Sequence, residues 1–131
     1  MFKKKFMSYW KIGLYAGGII TFLANIMFVL LGLTFGHEIS FIGQDRDTLY
    51  IVFISFATFT AVFFSSVIFY FIQRYTKQPM VWFVVVVLLG FCFNTYTAEV
   101  DLQEQYKMTA HMLHVLVSAL AIYFVPKFAK E

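Results

Sequence analysis

Long apolar stretches alternate with short polar ones along this chain, and the two kinds hardly mix. The apolar stretches run from Ile12 to about Phe35, about Leu49 to Ile72, Met80 to about Thr97 and Met108 to about Val125, and none contains Lys, Arg, Asp or Glu. A helix needs about 20 mostly apolar residues to cross a hydrocarbon core about 30 Å thick, so each stretch suits one crossing. Strands of a membrane barrel would instead alternate apolar and polar residues over about 10 positions. Val81 to Leu89 and Ile51 to Ile54 are apolar throughout, so the pattern predicts helices. The connecting segments 37–48, 73–79 and 98–107 are too short to be domains. The expected fold is all-α, a polytopic membrane protein with four transmembrane helices in a bundle, forming a single domain over residues 1–131. Ser and Thr within the spans are tolerated because each hydroxyl can bond a carbonyl one turn back. Pro126 is expected to close the last helix.

Composition agrees with a lipid solvent. Apolar residues make up 61% of the chain and charged ones 13%, against about 45–50% and about 25% in soluble domains. These figures exclude a disordered tail, a nucleic-acid-binding module and a collagen-like chain. With Cys92 as the only cysteine, a disulfide scaffold is excluded too. Lys3, Lys4, Lys5, Lys11, Arg74, Lys77, Lys127 and Lys130 fall on one side of the spans, while Arg46 and Lys107 fall on the other. The positive-inside rule then places both termini in the cytoplasm. The net charge of +3 is thus a topology signal, and no nucleic-acid partner is read into it. Lys3 to Lys5 before an apolar run also resembles a signal peptide, but the run is longer than about 15 residues and no A-x-A pattern follows, so a retained helix is expected. Tyr9, Trp10, Tyr70, Tyr75, Trp82 and Tyr123 are placed at the cytoplasmic interface, and Tyr50, Tyr96 and Tyr106 at the outer one.

Intramembrane polar residues are few, and their spacing assigns them to helix faces. His111, His114 and Ser118 follow i, i+3, i+7 on the fourth span, and Gly90, Asn94, Thr97 and Asp101 share a stripe on the third. The first span carries Thr21 and Asn25, and the second Ser55, Thr58 and Ser65. A hairpin turning near Gln103 sets Asn94 and His111 almost level, with His114 about 4.5 Å deeper. Because polar groups in a span usually face other helices or a wet cavity, an outward-opening pocket is expected. Asn25, Asn94, His111, His114 and Ser118 are its candidate ligand-binding residues, and His37, Glu38, Glu99 and Asp101 are placed at its mouth.

Other chemistry finds less support. His111 and His114 are the candidates for a metal ion, since neutral imidazoles on one helical face can converge on Zn, Cu or Fe, but no further ligand pattern accompanies them and no cofactor is assigned. Histidine also suits proton coupling, although no Asp or Glu lies deep in a span. Cys92 lacks the partner of a C-x-x-C redox pair, Ser65 and Ser66 stand near no base, and no phosphate-binding loop is present, so no catalytic residue is assigned. Gly32 and Gly36 form a G-x-x-x-G pair that permits close helix approach, and Gly17 and Gly18 offer a similar surface; a homo-oligomer through Gly32 and Gly36 is one expectation.

Asn25 midway along the first span, the polar end of the third (Asn94, Thr95, Thr97) and the Thr-x-His entry to the last (Thr109, His111, followed by His114) resemble a family of small uncharacterised bacterial four-helix membrane proteins. The resemblance implies the architecture and a bacterial cytoplasmic (inner) membrane, and no activity. The leading functional expectation is binding or passage of a small solute, ion or lipid-like ligand. The alternatives are a non-catalytic accessory or immunity-type protein that binds another membrane protein, and a metal-dependent membrane enzyme.

The orientation is directly testable. A reporter active only in the cytoplasm, fused after residue 131, is expected to be active, and one active only outside to be silent. The opposite pair of signals would invert the topology.

Overall fold

In the computed structural model, residues 5–43 and 47–130 are described; Lys3, Lys4, Asp45, Arg46 and Glu131 lie outside the described residues. Four helices follow one another: α1 (Phe6–Phe35), α2 (Ile51–Tyr75), α3 (Pro79–Asp101) and α4 (Glu104–Lys130). They are 30, 25, 23 and 27 residues long, and each is long and apolar enough to cross a membrane. No strand occurs among the described residues. The protein is an all-α, multi-pass membrane bundle.

The helices overrun the apolar stretches by several residues at most ends, because backbone hydrogen bonding continues into the interface where side chains turn polar. Pro126 does not end α4 as expected: the helix continues through it to Lys130. A proline removes one N–H bond and crowds the carbonyl four residues back. Here Val125 and Ala129 on either side are buried in one apolar cluster with Tyr9, so packing holds the last turn in helical form.

Lipid tails are as apolar as leucine, so helices in a membrane associate mainly through close packing and hydrogen bonds. The tightest approach is between α1 and α2. Tyr9, Ile12, Gly13, Ala16, Gly17, Ile20 and Ala24 form a buried stripe of mostly small residues on α1. A methyl group on Gly13 would stand 2.6 Å from the Ser66 hydroxyl and 3.1 Å from the Phe63 Cα, and one on Gly17 would meet the Phe59 ring at 3.0 Å. Ser66 Oγ lies 2.8 Å from both the Tyr9 and Phe63 carbonyls and can donate to either, which ties the two helices at that level. Deeper along the same seam, Asn25 Nδ2 donates to Ser55 Oγ at 2.9 Å and to the Thr21 carbonyl at 3.0 Å.

α4 lies against the other side of α1, and α3 lies against α4; α1 and α3 occupy opposite corners of the bundle. α2 and α3 are joined by the short link 76–78 and meet near it, where the Phe69 and Phe83 rings pack edge to face with centroids 4.9 Å apart. Ser65 Oγ donates to the Ala61 carbonyl and Thr97 Oγ1 to the Phe93 carbonyl, the back-bonding expected of hydroxyls inside a span. Tyr9 and Tyr106, expected in interfacial belts, lie at the expected ends but turn inward and are buried. Many of the phenylalanines, including Phe22, Phe56, Phe64 and Phe93, point outward from the bundle.

Beyond α1, residues 36–43 and 47–50 lie back over one end of the bundle. Gly36 ends α1 with a left-handed φ of 81°, a conformation that costs glycine little, and its N–H closes on the Gly32 carbonyl at 2.8 Å. The returning chain then covers Gly32, where a methyl group would stand 2.5 Å from the Ile39 side chain and 2.9 Å from the His37 ring. His37 stacks on Phe28 with ring centroids 5.1 Å apart and lies 5.3 Å from the Tyr106 ring. Asp47 ties the segment to the α3–α4 turn, where Gln103 donates its backbone N–H to the Asp47 carbonyl at 3.0 Å and its side-chain amide to Asp47 Oδ1 at 3.3 Å. The G-x-x-x-G pair thus has work within the chain: Gly32 is covered by the chain itself, and Gly36 makes the turn.

Substituting Gly13 with Leu is expected to destabilise the protein by about 1–3 kcal/mol, the usual cost of overpacking. Gly18, whose Cβ position is open, should accept Ala with no loss. Thermal unfolding of the two variants in detergent checks the contrast, and equal effects would argue against the close α1–α2 seam.

Candidate functional site

The seam between α2 and α3 opens away from the Phe69–Phe83 contact into a cavity of about 290 Å³ bounded on its third side by α4. Its polar lining comes from Thr58 on α2, Asn94, Thr97 and Asp101 on α3, and His114 and Ser118 on α4. Ala57 and Ala61 on α2 leave room, Phe91 and Val117 form the apolar wall, and Leu49 and Leu102 stand near the end where Asp47 meets the α3–α4 turn. α1 contributes nothing to the lining. The space exists because α2 is drawn towards α1 while α3 rests on α4, so small residues on α2 face a gap.

Four of the residues expected at a pocket therefore meet: Asn94, His114 and Ser118 in the wall and Asp101 at its outer end. Thr95 Oγ1 lies 3.4 Å from His114 Nδ1, a long contact that leaves the ring only weakly held. Asn94, Ser118 and Thr58 make no hydrogen bond with another described residue. In hydrocarbon such groups cost free energy unless something polar meets them.

The remaining expected residues stand elsewhere. Asn25 faces α2 across the α1–α2 seam, bonded to Ser55. His111 turns out of the cavity, and its Nε2–H donates to Glu99 Oε2 at 2.8 Å. Glu99 also lies 3.9 Å from Lys107 Nζ, which bonds Glu104 at 2.8 Å. This ion-pair group sits beside the mouth, partly solvated, where such pairs contribute little to stability. His37 is buried between Phe28 and Tyr106; its Nδ1–H donates to the Glu38 carbonyl at 3.0 Å. Glu38 beside it is exposed, and its backbone N–H donates to Gln105 Oε1 at 3.4 Å. His111 and His114 lie one turn apart but hold different partners. Among the described residues no group of three or more His, Cys, Asp or Glu converges as a metal site would require.

α2 supplies a further side of the cavity through Ala57, Thr58 and Ala61. The sequence signals for it are Thr58 in the polar set of the second span and the small residues Ala57 and Ala61 at i, i+4, and neither says which neighbour that face meets.

Access to the cavity can be measured by cysteine labelling. With Cys92 changed to Ala, Ser118→Cys is expected to react with a small water-soluble thiol reagent added from the side carrying Asp101, while Asn25→Cys stays protected. Protection of both positions would mean the cavity is closed. Comparison with protein-family models, curated proteins and solved structures finds no match, so the function is argued from these residues alone.

Proposed function

We propose that this integral membrane protein binds a small amphiphilic, lipid-like ligand in the cavity between α2, α3 and α4. The observation that supports this most is the mixed lining: Ala57, Ala61, Phe91 and Val117 offer apolar surface, while Asn94, Ser118 and Thr58 hold hydrogen-bonding capacity with no partner among the described residues. A purely apolar tail would leave those groups unmet, and a small ion would gain nothing from the apolar wall. An amphiphile satisfies both. A volume of about 290 Å³ lies near the lower limit of about 300 Å³ for ligand pockets, which favours one chain or one small ring system. Entry between α2 and α3 is consistent with their loose contact beyond Phe69 and Phe83.

On this reading Asn94, His114 and Ser118 contact the ligand, Asp101 stands at the mouth, and Asn25, His111, His37 and Glu38 support the surrounding structure. The basic-residue bias supports cytoplasmic termini and a cavity that opens outward, and the bacterial cytoplasmic membrane rests on the family resemblance. The partner-binding alternative keeps the open Gly18 and Gly36 positions, whereas Gly17 and Gly32 are covered from within the chain. The metal-dependent alternative has no third ligand beside His111 and His114 among the described residues.

Photolabelling tests the reading. A neutral decyl alcohol carrying a diazirine is expected to crosslink to Ala57, Phe91 or Val117 in the wild type. Ala61→Phe should abolish this labelling by filling the space, and His114→Ala should weaken it about tenfold, the effect of one lost hydrogen bond of roughly 1.4 kcal/mol. Labelling spread evenly over the lipid-facing surface of all helices, unchanged in both variants, would remove the proposal.

A further inference from the structure

The charge around the cavity says more about the ligand. Among the described residues, Asp101 is the one charged side chain in the lining. It ends α3 and makes no ion pair or hydrogen bond with another described residue, whereas Glu99 and Glu104 are engaged by Lys107 and Asp47 by Gln103. The wider field has the same sign. Among the described residues, Glu38, Asp47, Glu99, Asp101 and Glu104 gather at this end of the bundle with Lys107 as the only Lys or Arg. Lys5, Lys11, Arg74, Lys77, Lys127 and Lys130 stand at the other end, with no described Asp or Glu among them.

Resting on the reading of the cavity as an amphiphile site, we infer that its ligand is an organic monocation: a protonated amine or quaternary ammonium held at Asp101, with an apolar body running inward past Ala57, Phe91 and Val117. Ca2+ or Mg2+ would want six or more oxygen ligands and Zn2+ about four ligands including His or Cys, and a single carboxylate supplies neither set. An inorganic monovalent ion would lose its hydration against a mostly apolar wall. An anionic headgroup would face Asp101 and an acidic mouth, which a charge-complementary site does not offer. An organic cation meets each condition, and the acidic mouth raises its local concentration before binding.

Spacing adds a second requirement. Asn94 lies seven positions before Asp101, two turns along the same face of α3 and about 10 Å deeper. His114 and Ser118 reach the cavity from α4. The ligand therefore carries a hydroxyl, amide or carbonyl about 10 Å from its cationic centre, placed to meet Asn94.

The test uses three decyl diazirine probes with trimethylammonium, sulfate and hydroxyl heads, applied to the full chain in zwitterionic lipid nanodiscs. The wild type is expected to label with the cation at tenfold or more lower concentration than with the sulfate. Asp101→Asn should erase about tenfold of that preference, as loss of one charge-assisted contact would, and should change labelling by the hydroxyl probe much less than labelling by the cation. Asp101→Glu should restore it, which separates lost charge from lost folding. Glu104→Gln, at the same end but outside the lining, should change the preference much less. Equal labelling by sulfate and cation, a preference that survives Asp101→Asn, or an equal effect of Glu104→Gln would each overturn the inference while leaving the cavity itself in place. If none of the three probes labels the cavity wall, the reading of the cavity fails and this inference fails with it.

Discussion

The close approach of α1 to α2 sets the rest of the bundle. In lipid there is little hydrophobic gain from bringing two apolar helices together, so contact depends on surfaces that can interlock. Gly13 and Gly17 allow Phe63 and Phe59 to lie against the α1 backbone, and Ser66 bonds across to the Tyr9 carbonyl. α2 has no comparable surface towards α3 beyond Phe69, where its inward positions become Val62, Ala61, Thr58 and Ala57. The cavity is thus the counterpart of the tight seam: the helix held closely on one side leaves space on the other.

Both ends of the bundle are finished by buried aromatic groups, but in different ways. At the basic end Tyr9 packs among Phe69 and Tyr70 and fixes the level at which α1 enters. At the acidic end the chain itself supplies the cover. Gly36 turns it back, His37 fills the gap between Phe28 and Tyr106, and Asp47 joins it to Gln103. Leu49, at the end of this segment, also lines the cavity, so the cover and the site share a residue. A displacement of residues 47–50 would therefore be felt at the cavity mouth.

The helices were legible in the sequence because hydropathy follows directly from the lipid solvent, and even the turn near Gln103 could be placed from the charges around it. Pro126 was misleading because its local preference is outweighed by the buried contacts of Val125 and Ala129. Within the site, periodicity grouped Asn94 with Asp101 and His114 with Ser118, as the cavity does. It also grouped His111 with His114, yet a difference of three positions is enough to turn one ring towards Glu99 and the other inward. Asn25 shows the deeper reason for incomplete legibility. A polar stripe tells which side of a helix is not lipid, and says nothing of whether a neighbouring helix or a cavity lies there. That depends on which helices pair, and the pairing rests on glycines and alanines that carry no chemical signal of their own.

The most direct measurement is an experimental structure of the protein in lipid nanodiscs. Ordered non-protein density extending from Asp101 to Ser118 between α2, α3 and α4 is the expected result. Density-free closure of the seam, with Ala57 and Ala61 packed directly against α3, would contradict the central claim that this gap is a binding site.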